Sequence, residues 1–109
     1  MVGGNTKAVL QQVQEPPLDW WQVGDRYPMY WDDVKTLTGW LDLISGDSQY
    51  TYGAKLGQAT HIFICDYTDI DRNTEDKRLV IGDKIYDVLW IDNPMELNQH
   101  LEIYLRIVG

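Results

Sequence analysis

Alternating apolar and polar residues mark the end of the chain. In residues 100–107 apolar side chains occupy every second position: Leu101, Ile103, Leu105 and Ile107. The residues between them form a second face: His100, Glu102, Tyr104 and Arg106. A period of two is typical of a half-buried β-strand. The pattern therefore predicts a strand over residues 100–107.

A strand with apolar residues on both faces is predicted for residues 84–91. We expect one face to carry Ile85, Leu89 and Ile91, and the other Tyr86, Val88 and Trp90. Such a strand is typically central in a sheet. Residues 78–81 precede it across Gly82-Asp83, a two-residue connection in which glycine supplies the positive φ of a tight turn. These two runs predict a hairpin.

Three further runs complete the predicted sheet. Residues 59–67 and 36–43 are rich in strand-forming residues, and Gly39 indicates a bulge or a close backbone approach. Residues 9–14 fit either a first strand or a helical turn, which ends before Pro16-Pro17. A short helical turn is predicted at residues 93–99, with Pro94 at its first helical position.

Five or six short strands without long helical periodicity predict a mainly β fold. We expect a small antiparallel β-barrel or sandwich with at most short helical turns. The chain of 109 residues is long enough for one such domain, spanning residues 1–109. Residues 1–8 are expected to form a tail.

Two segments fall outside this predicted sheet. Residues 18–31 are rich in aromatic side chains, which fit either a packed lid on one barrel end or a protein-contact surface. The candidate contact residues are Trp20, Trp21, Tyr30 and Trp31. Residues 45–58 contain three glycines and no strong apolar face. We expect them to form a long flexible loop, because connections of this length are unusual in a compact domain.

Net charge and composition argue against several classes of function. The net charge of -8 argues against tight nucleic-acid binding, which requires a basic surface. The single cysteine, Cys65, excludes an internal disulfide and is expected in the core. We find no apolar stretch typical of a secretion signal or a membrane span, and expect a cytoplasmic protein that contacts no membrane.

Few residues are arranged for chemistry. His61 and His100 lie outside any nucleophile motif, and no phosphate-binding glycine loop occurs. The acidic run at residues 66–76 matches the first three ligand positions of a calcium loop at Asp69, Asp71 and Asn73. It has Thr74 and Val80 where that loop needs Gly and Glu. We interpret the run as a solvated acidic turn neutralised by Arg72, Lys77 and Arg78, and expect no metal, no cofactor and no enzyme activity.

The order of several short motifs resembles a known family. They are TH at Thr60-His61, the strand that follows, Arg72, Gly82-Asp83, Tyr86, Asn93-Pro94 and His100-Leu101, with TGWLDLISGD at residues 38–47 before them. This order is similar to that of the head-tail joining (head-closure or stopper) proteins of long-tailed bacteriophages and prophages. The family-motif positions are Thr60, His61, Gly82, Tyr86, Pro94 and His100.

This resemblance implies a structural role in the virion. Family members assemble as a ring below the portal or adaptor, retain the packaged DNA and offer a docking surface to the tail-completion protein. The resemblance also implies that residues 45–58 reach into the channel or a neighbouring subunit, with Asp47, Tyr50, Tyr52 and Lys55 as candidates. We expect assembly in the host bacterial cytoplasm, DNA as passing cargo only, and a monomer in isolation, because acidic subunits repel one another.

Two other functions fit the residues. The runner-up is a small intracellular oligonucleotide-binding or SH3-like barrel that stacks a peptide, sugar or single-stranded nucleic acid on its aromatic side chains. A small enzyme using His61 or His100 with a neighbouring carboxylate is the third, although no spacing supports it.

Overall fold

Six antiparallel strands close into a barrel. The structure is a computed structural model that describes residues 3–14, 30–44 and 58–108. The strands are β1 (Thr6–Gln14), β2 (Tyr30–Leu43), β3 (His61–Asp66), β4 (Lys77–Ile81), β5 (Lys84–Asp92) and β6 (His100–Ile107). Their order around the barrel is β1-β2-β3-β6-β5-β4, with β4 pairing back onto β1. The predicted small antiparallel barrel is confirmed.

The first strand is extended throughout and is longer than predicted. Residues 9–14 form a strand and not a helical turn, and β1 begins earlier, at Thr6. The predicted tail over residues 1–8 is therefore wrong for its last three residues. Thr6 lies opposite Gly39 of β2, and Ala8 is fully buried inside the barrel. Burial of Ala8 anchors this stretch as part of the sheet.

The second strand is longer than the predicted 36–43. It starts at Tyr30, so Tyr30 and Trp31, the last two residues of the aromatic segment 18–31, belong to this strand. Their backbones pair with Gln14 and Val13 of β1. The register shifts between Leu10 and Gln11, where β2 carries one extra residue. This irregularity breaks the alternation that would have revealed the strand.

A second irregularity reverses the faces of β5. The register against β6 shifts between Val88 and Trp90. As a result Ile91 is buried together with Tyr86 and Val88, whereas Trp90 points outward and is 40% exposed. The predicted faces of residues 84–91 are therefore wrong for Trp90 and Ile91. In a closed barrel the strand also has two neighbours, β4 and β6, as does every other strand.

The barrel interior is filled by apolar side chains. They are Ala8, Leu10, Leu37, Phe63, Cys65, Leu79, Tyr86, Val88, Ile91, Leu101, Ile103 and Leu105. The predicted core role of Cys65 is confirmed, and so is the inward face of β6 up to Leu105. Gly39 permits a close approach, because a Cβ there would overlap the carbonyl oxygen of Ile64.

The two barrel ends differ in their connections. At the end called the upper rim, β2 ends, β3 begins, and the predicted β4–β5 hairpin turns at Gly82, whose φ is +60°. At the opposite end, the lower rim, residues 67–76 cross from β3 to β4. Tyr67 and Ile70 of this crossover pack against the core. The predicted helical turn is a 3-10 helix at Pro94–Glu96 on the same rim.

The amine of Lys77 organises the acidic crossover. Its side chain is 1% exposed, and Nζ donates to the Asp71 carboxylate at 3.0 Å and to the Asp76 carboxylate at 3.2 Å. It also donates to the Asn73 carbonyl at 2.8 Å. Lys77 thus neutralises this turn, as expected. The two arginines expected to help have other partners: Arg72 pairs with Glu96, and Arg78 donates to Gln11.

Candidate protein-contact surfaces

The upper rim holds both ends of the long segment 45–57. On the outgoing side, the Ile44 amide donates to the Thr60 carbonyl at 3.0 Å. On the returning side, the Thr60 amide donates to the Leu105 carbonyl at 2.7 Å, and Arg106 donates to the Gln58 side chain at 2.7 Å. Both ends are therefore fixed to β6, directly or through Thr60.

The Thr60 side chain links β3 to β6 at this rim. Its hydroxyl accepts a hydrogen bond from the Ile107 amide at 2.9 Å and lies 2.8 Å from Nδ1 of His61. The His61 ring packs edge-on against Tyr86, with 5.1 Å between ring centroids. Burial lowers the pKa of His61, which favours the neutral ring. Four of the six family-motif positions, Thr60, His61, Gly82 and Tyr86, thus belong to the upper part of the barrel.

The remaining two family-motif positions, Pro94 and His100, lie at the lower rim. Pro94 starts the 3-10 helix, and the buried Asn93 before it holds the turn by accepting from the Asn98 amide at 3.1 Å. Glu96 of this turn pairs with Arg72 of the crossover through two contacts of 2.8 and 3.2 Å. The turn is therefore tied to the crossover.

His100 belongs to a short chain of polar contacts on the outside of β6. Its Nε2 lies 3.0 Å from Glu102, and the Tyr104 hydroxyl donates to the other Glu102 oxygen at 3.0 Å. Asp92 lies opposite Glu102 in the strand register. Partial burial raises the pKa of Asp92, and the charges of Glu102 and Glu96 add to the effect. This part of the outer surface is acidic.

Large apolar side chains cover the outside of the barrel around β3 and β6. We call this surface the aromatic wall: Trp40, Ile62, Ile64, Trp90 and Tyr104. Trp40 is 53% exposed, and Trp90 stacks on Tyr104 with 5.4 Å between centroids. Ile62 pairs with Tyr104, and Ile64 with Trp40. Tyr104 itself is buried, in a second small core cluster with Ala59 against which Ile62 and Leu89 pack. The exposed part of the wall is therefore formed mainly by the two tryptophans. Exposed aromatic side chains of this kind are typical of protein-contact surfaces.

Sequence reasoning missed the aromatic wall. It placed Trp40 and Trp90 in strands but gave neither an outward contact role. The alternation in residues 36–43 does place Trp40 on the face opposite Leu41 and so could have indicated it. Trp90 could not be found in this way, because the register shift after Val88 decides its face.

The opposite side of the barrel carries smaller side chains and two cations. We call it the aliphatic wall: Val9, Val80, Ile85, Lys7 and Arg78. The first three form one row across β1, β4 and β5. The Arg78 guanidinium donates to Gln11 at 2.7 Å and lies 4.2 Å from the centroid of Trp31. Gln11 in turn donates to Asp33 at 2.8 Å.

Most of the predicted contact residues lie outside the described ranges. These are Trp20 and Trp21 of the aromatic segment, and Asp47, Tyr50, Tyr52 and Lys55 of the long segment. Tyr30 begins β2, and Trp31 is half-buried beside Arg78. The described part of the chain therefore brings one predicted contact aromatic, Trp31, next to the aliphatic wall.

Within residues 3–14, 30–44 and 58–108, no three His, Cys, Asp or Glu side chains are grouped to hold a metal ion. The same ranges contain no helix that is long and apolar enough to cross a membrane. For the chain as a whole, no protein-family model matches, and no curated protein matches significantly.

Proposed function

We propose that this protein is a structural component of a bacteriophage head-tail connector. In this proposal it forms a ring below the portal or adaptor, retains packaged DNA, and offers a docking surface to the tail-completion protein. The observation that carries the proposal is the anchoring of both ends of segment 45–57 on the rim of a closed barrel. Thr60, one of the positions that carry the family resemblance, takes part in this anchor.

A rigid base suits a segment that works mechanically. Ile44 and Gln58, on either side of segment 45–57, are attached to Thr60 and Arg106. A force on the segment is then passed to β6, whose inner face is buried in the core. A barrel with a packed interior resists such a force, because protein interiors are close-packed and barely compressible.

The charge of the chain also fits a DNA channel. A basic wall would hold DNA through phosphate contacts, whereas a chain with a net charge of -8 repels it. DNA then passes as cargo and is not bound. The role is structural and not catalytic, and the protein acts first in the host cytoplasm and then in the virion.

The geometry gives less support to a ligand-binding barrel. A polar hollow of about 160 Å³ lies between the crossover and the 3-10 turn, lined by Tyr67 and Arg72 among others. A second, more open hollow of about 280 Å³ is lined by Lys77, Asp87 and Leu89 among others. Typical ligand pockets are mostly apolar and span roughly 300 to 1,000 Å³. The aromatic wall is flanked by Glu102 and Asp92, which disfavours nucleic acid.

The experiment is a binding assay on heads. Purified protein is added to DNA-filled, tail-free heads from a phage that lacks this gene, and the heads are then sedimented. We expect the protein to sediment with the heads and to restore tail attachment. A protein that stays in the supernatant, and instead binds single-stranded DNA with steep salt dependence, would favour the small binding module.

A further inference from the structure

We propose that copies of this chain contact one another head to tail, with the aromatic wall of one copy packed against the aliphatic wall of the next. This inference rests on the proposed function and deepens it, because it names the two surfaces that build the ring. It concerns the outside of the barrel.

The position of the two walls suits a ring. In the circular order β1-β2-β3-β6-β5-β4, the strands β3 and β6 lie three places from β4 and β1. The aromatic wall is centred on the first pair, and Val9 and Val80 of the aliphatic wall lie on the second. A ring requires two different surfaces on nearly opposite sides of each subunit, because each copy contacts one neighbour on either side.

The aromatic wall has the composition of an interface centre. Two tryptophans, 53% and 40% exposed, lie on either side of half-buried Ile62 and Ile64. Tryptophan is enriched among the residues that dominate binding energy, and these residues cluster at the centre of an interface. The stack of Trp90 on Tyr104 holds one of the two rings in place before any partner arrives.

Charges favour contact between an aromatic wall and an aliphatic wall over contact between two aromatic walls. Three carboxylates, those of Asp42, Asp92 and Glu102, lie on or beside the aromatic wall, whereas the aliphatic wall carries Lys7 and Arg78. Two acids lie beside Arg78: Asp33, to which Gln11 donates, and Asp87, which lies opposite Arg78 in the register and pairs with Arg106. Two aromatic walls facing each other would bring the carboxylates together and repel. An aromatic wall facing an aliphatic wall brings the carboxylates near cations, which fixes the choice of partner face.

The first test places a charge on the aromatic wall. Trp40→Lys is compared with Val34→Lys, a matched control on the same strand whose native side chain is 46% exposed and belongs to neither wall. We expect Trp40→Lys to raise the concentration for half-saturation of filled heads at least tenfold, at a temperature where circular dichroism shows the variant to be folded. Val34→Lys should stay within twofold of the wild type. Equal binding by both variants would overturn the inference.

The second test identifies which surfaces meet. Cysteines are introduced as Ile64→Cys and Val9→Cys, singly and together, and proteins bound to heads are treated with a flexible bismaleimide. We expect covalent multimers beyond the dimer from the double variant only. Dimers from Ile64→Cys alone would show that like walls meet and would overturn the inference. If the wild type itself does not bind heads, the proposed function is wrong, and the inference that rests on it is rejected with it.

Discussion

The Ile107 amide donates a hydrogen bond of 2.9 Å to the Thr60 hydroxyl, joining the end of β6 to the residue that precedes β3. The Ile44 amide donates to the carbonyl of the same residue, Thr60. Thr60 therefore connects Ile44, which precedes segment 45–57, to β6. This relationship links the family resemblance, which includes Thr60, to the mechanical role proposed for the segment.

Thr60→Val tests this link. Valine keeps the shape of threonine but removes the acceptor for the Ile107 amide, so we expect the free energy of unfolding to fall by about 1 kcal/mol. Chemical denaturation measures the change. Thr36→Val, at an exposed position of β2, is the control and should stay within about 0.5 kcal/mol of the wild type. Equal stability of both variants would contradict the proposed anchor.

Gly39→Ala tests the close approach of β2 and β3. The added methyl group would overlap the Ile64 carbonyl oxygen, so the strands must separate, at a cost of about 3 kcal/mol. Gly82→Ala is the comparison, because open space surrounds that position and only its φ of +60° is unfavourable. It should cost about 1 kcal/mol. Thermal unfolding distinguishes the two, and the reverse order of stabilities would refute this account of Gly39.

Asp71→Asn tests the contact with the buried Lys77 amine. The hydrogen bond from Lys77 lowers the pKa of Asp71 below its ordinary value of 3.8, followed by the Asn73 amide and the Lys77 charge. A lowered pKa in the folded state stabilises the protein above pH 3.8, and this contribution disappears as the pH falls through the folded value. We expect Asp71→Asn to lose stability less steeply below pH 3.8 than the wild type does.

Denaturant titrations at several acidic pH values measure that slope. Asp69→Asn, an exposed position in the same crossover, provides the matched control and should keep the wild-type dependence. If Asp71→Asn had the same slope as the wild type, the contact between Lys77 and Asp71 would contribute nothing to the pH dependence of stability.

Cys65 should be inert in the folded protein. Burial, with a smaller contribution from Asp66, raises the pKa of its thiol to about 11, so little reactive thiolate forms at pH 8. We expect a thiol reagent to label it only after unfolding. Leu43→Cys, at a site that is 76% exposed, should be labelled at once in the folded protein. Rapid labelling of Cys65 in the native protein would place it outside the core.

Much of the barrel could be predicted from local pattern, because strand alternation and turn chemistry are encoded residue by residue. Alternation along β6 identified Leu101, Ile103 and Leu105 as inward-facing, and Gly82 identified the hairpin. The order of the strands around the barrel could not be obtained in this way, since it depends on pairing between distant segments.

The errors come from places where a partner strand decides the geometry. One extra residue in β2 shifts its register against β1, and one in β5 shifts its register against β6. The local sequence pattern does not indicate either shift. The shifts hid the first six residues of β2 and the outward face of Trp90. Local pattern does not reveal that Ala8 is buried, because it pairs with Leu37 of β2, which lies 29 residues further along the chain.

DNA retention tests the proposal that this protein closes DNA-filled heads. Filled, tail-free heads are incubated with the wild type or with a variant that lacks residues 50–56, and nuclease-resistant DNA is then quantified. The deletion spares Ile44, Gln58 and Thr60, so the barrel should fold and bind heads. We predict that the wild type protects the DNA and that the deletion variant binds but lets it leak. Heads that lose their DNA despite bound wild-type protein would contradict the proposed closure role. Equal retention with the deletion variant would contradict the role proposed for segment 45–57.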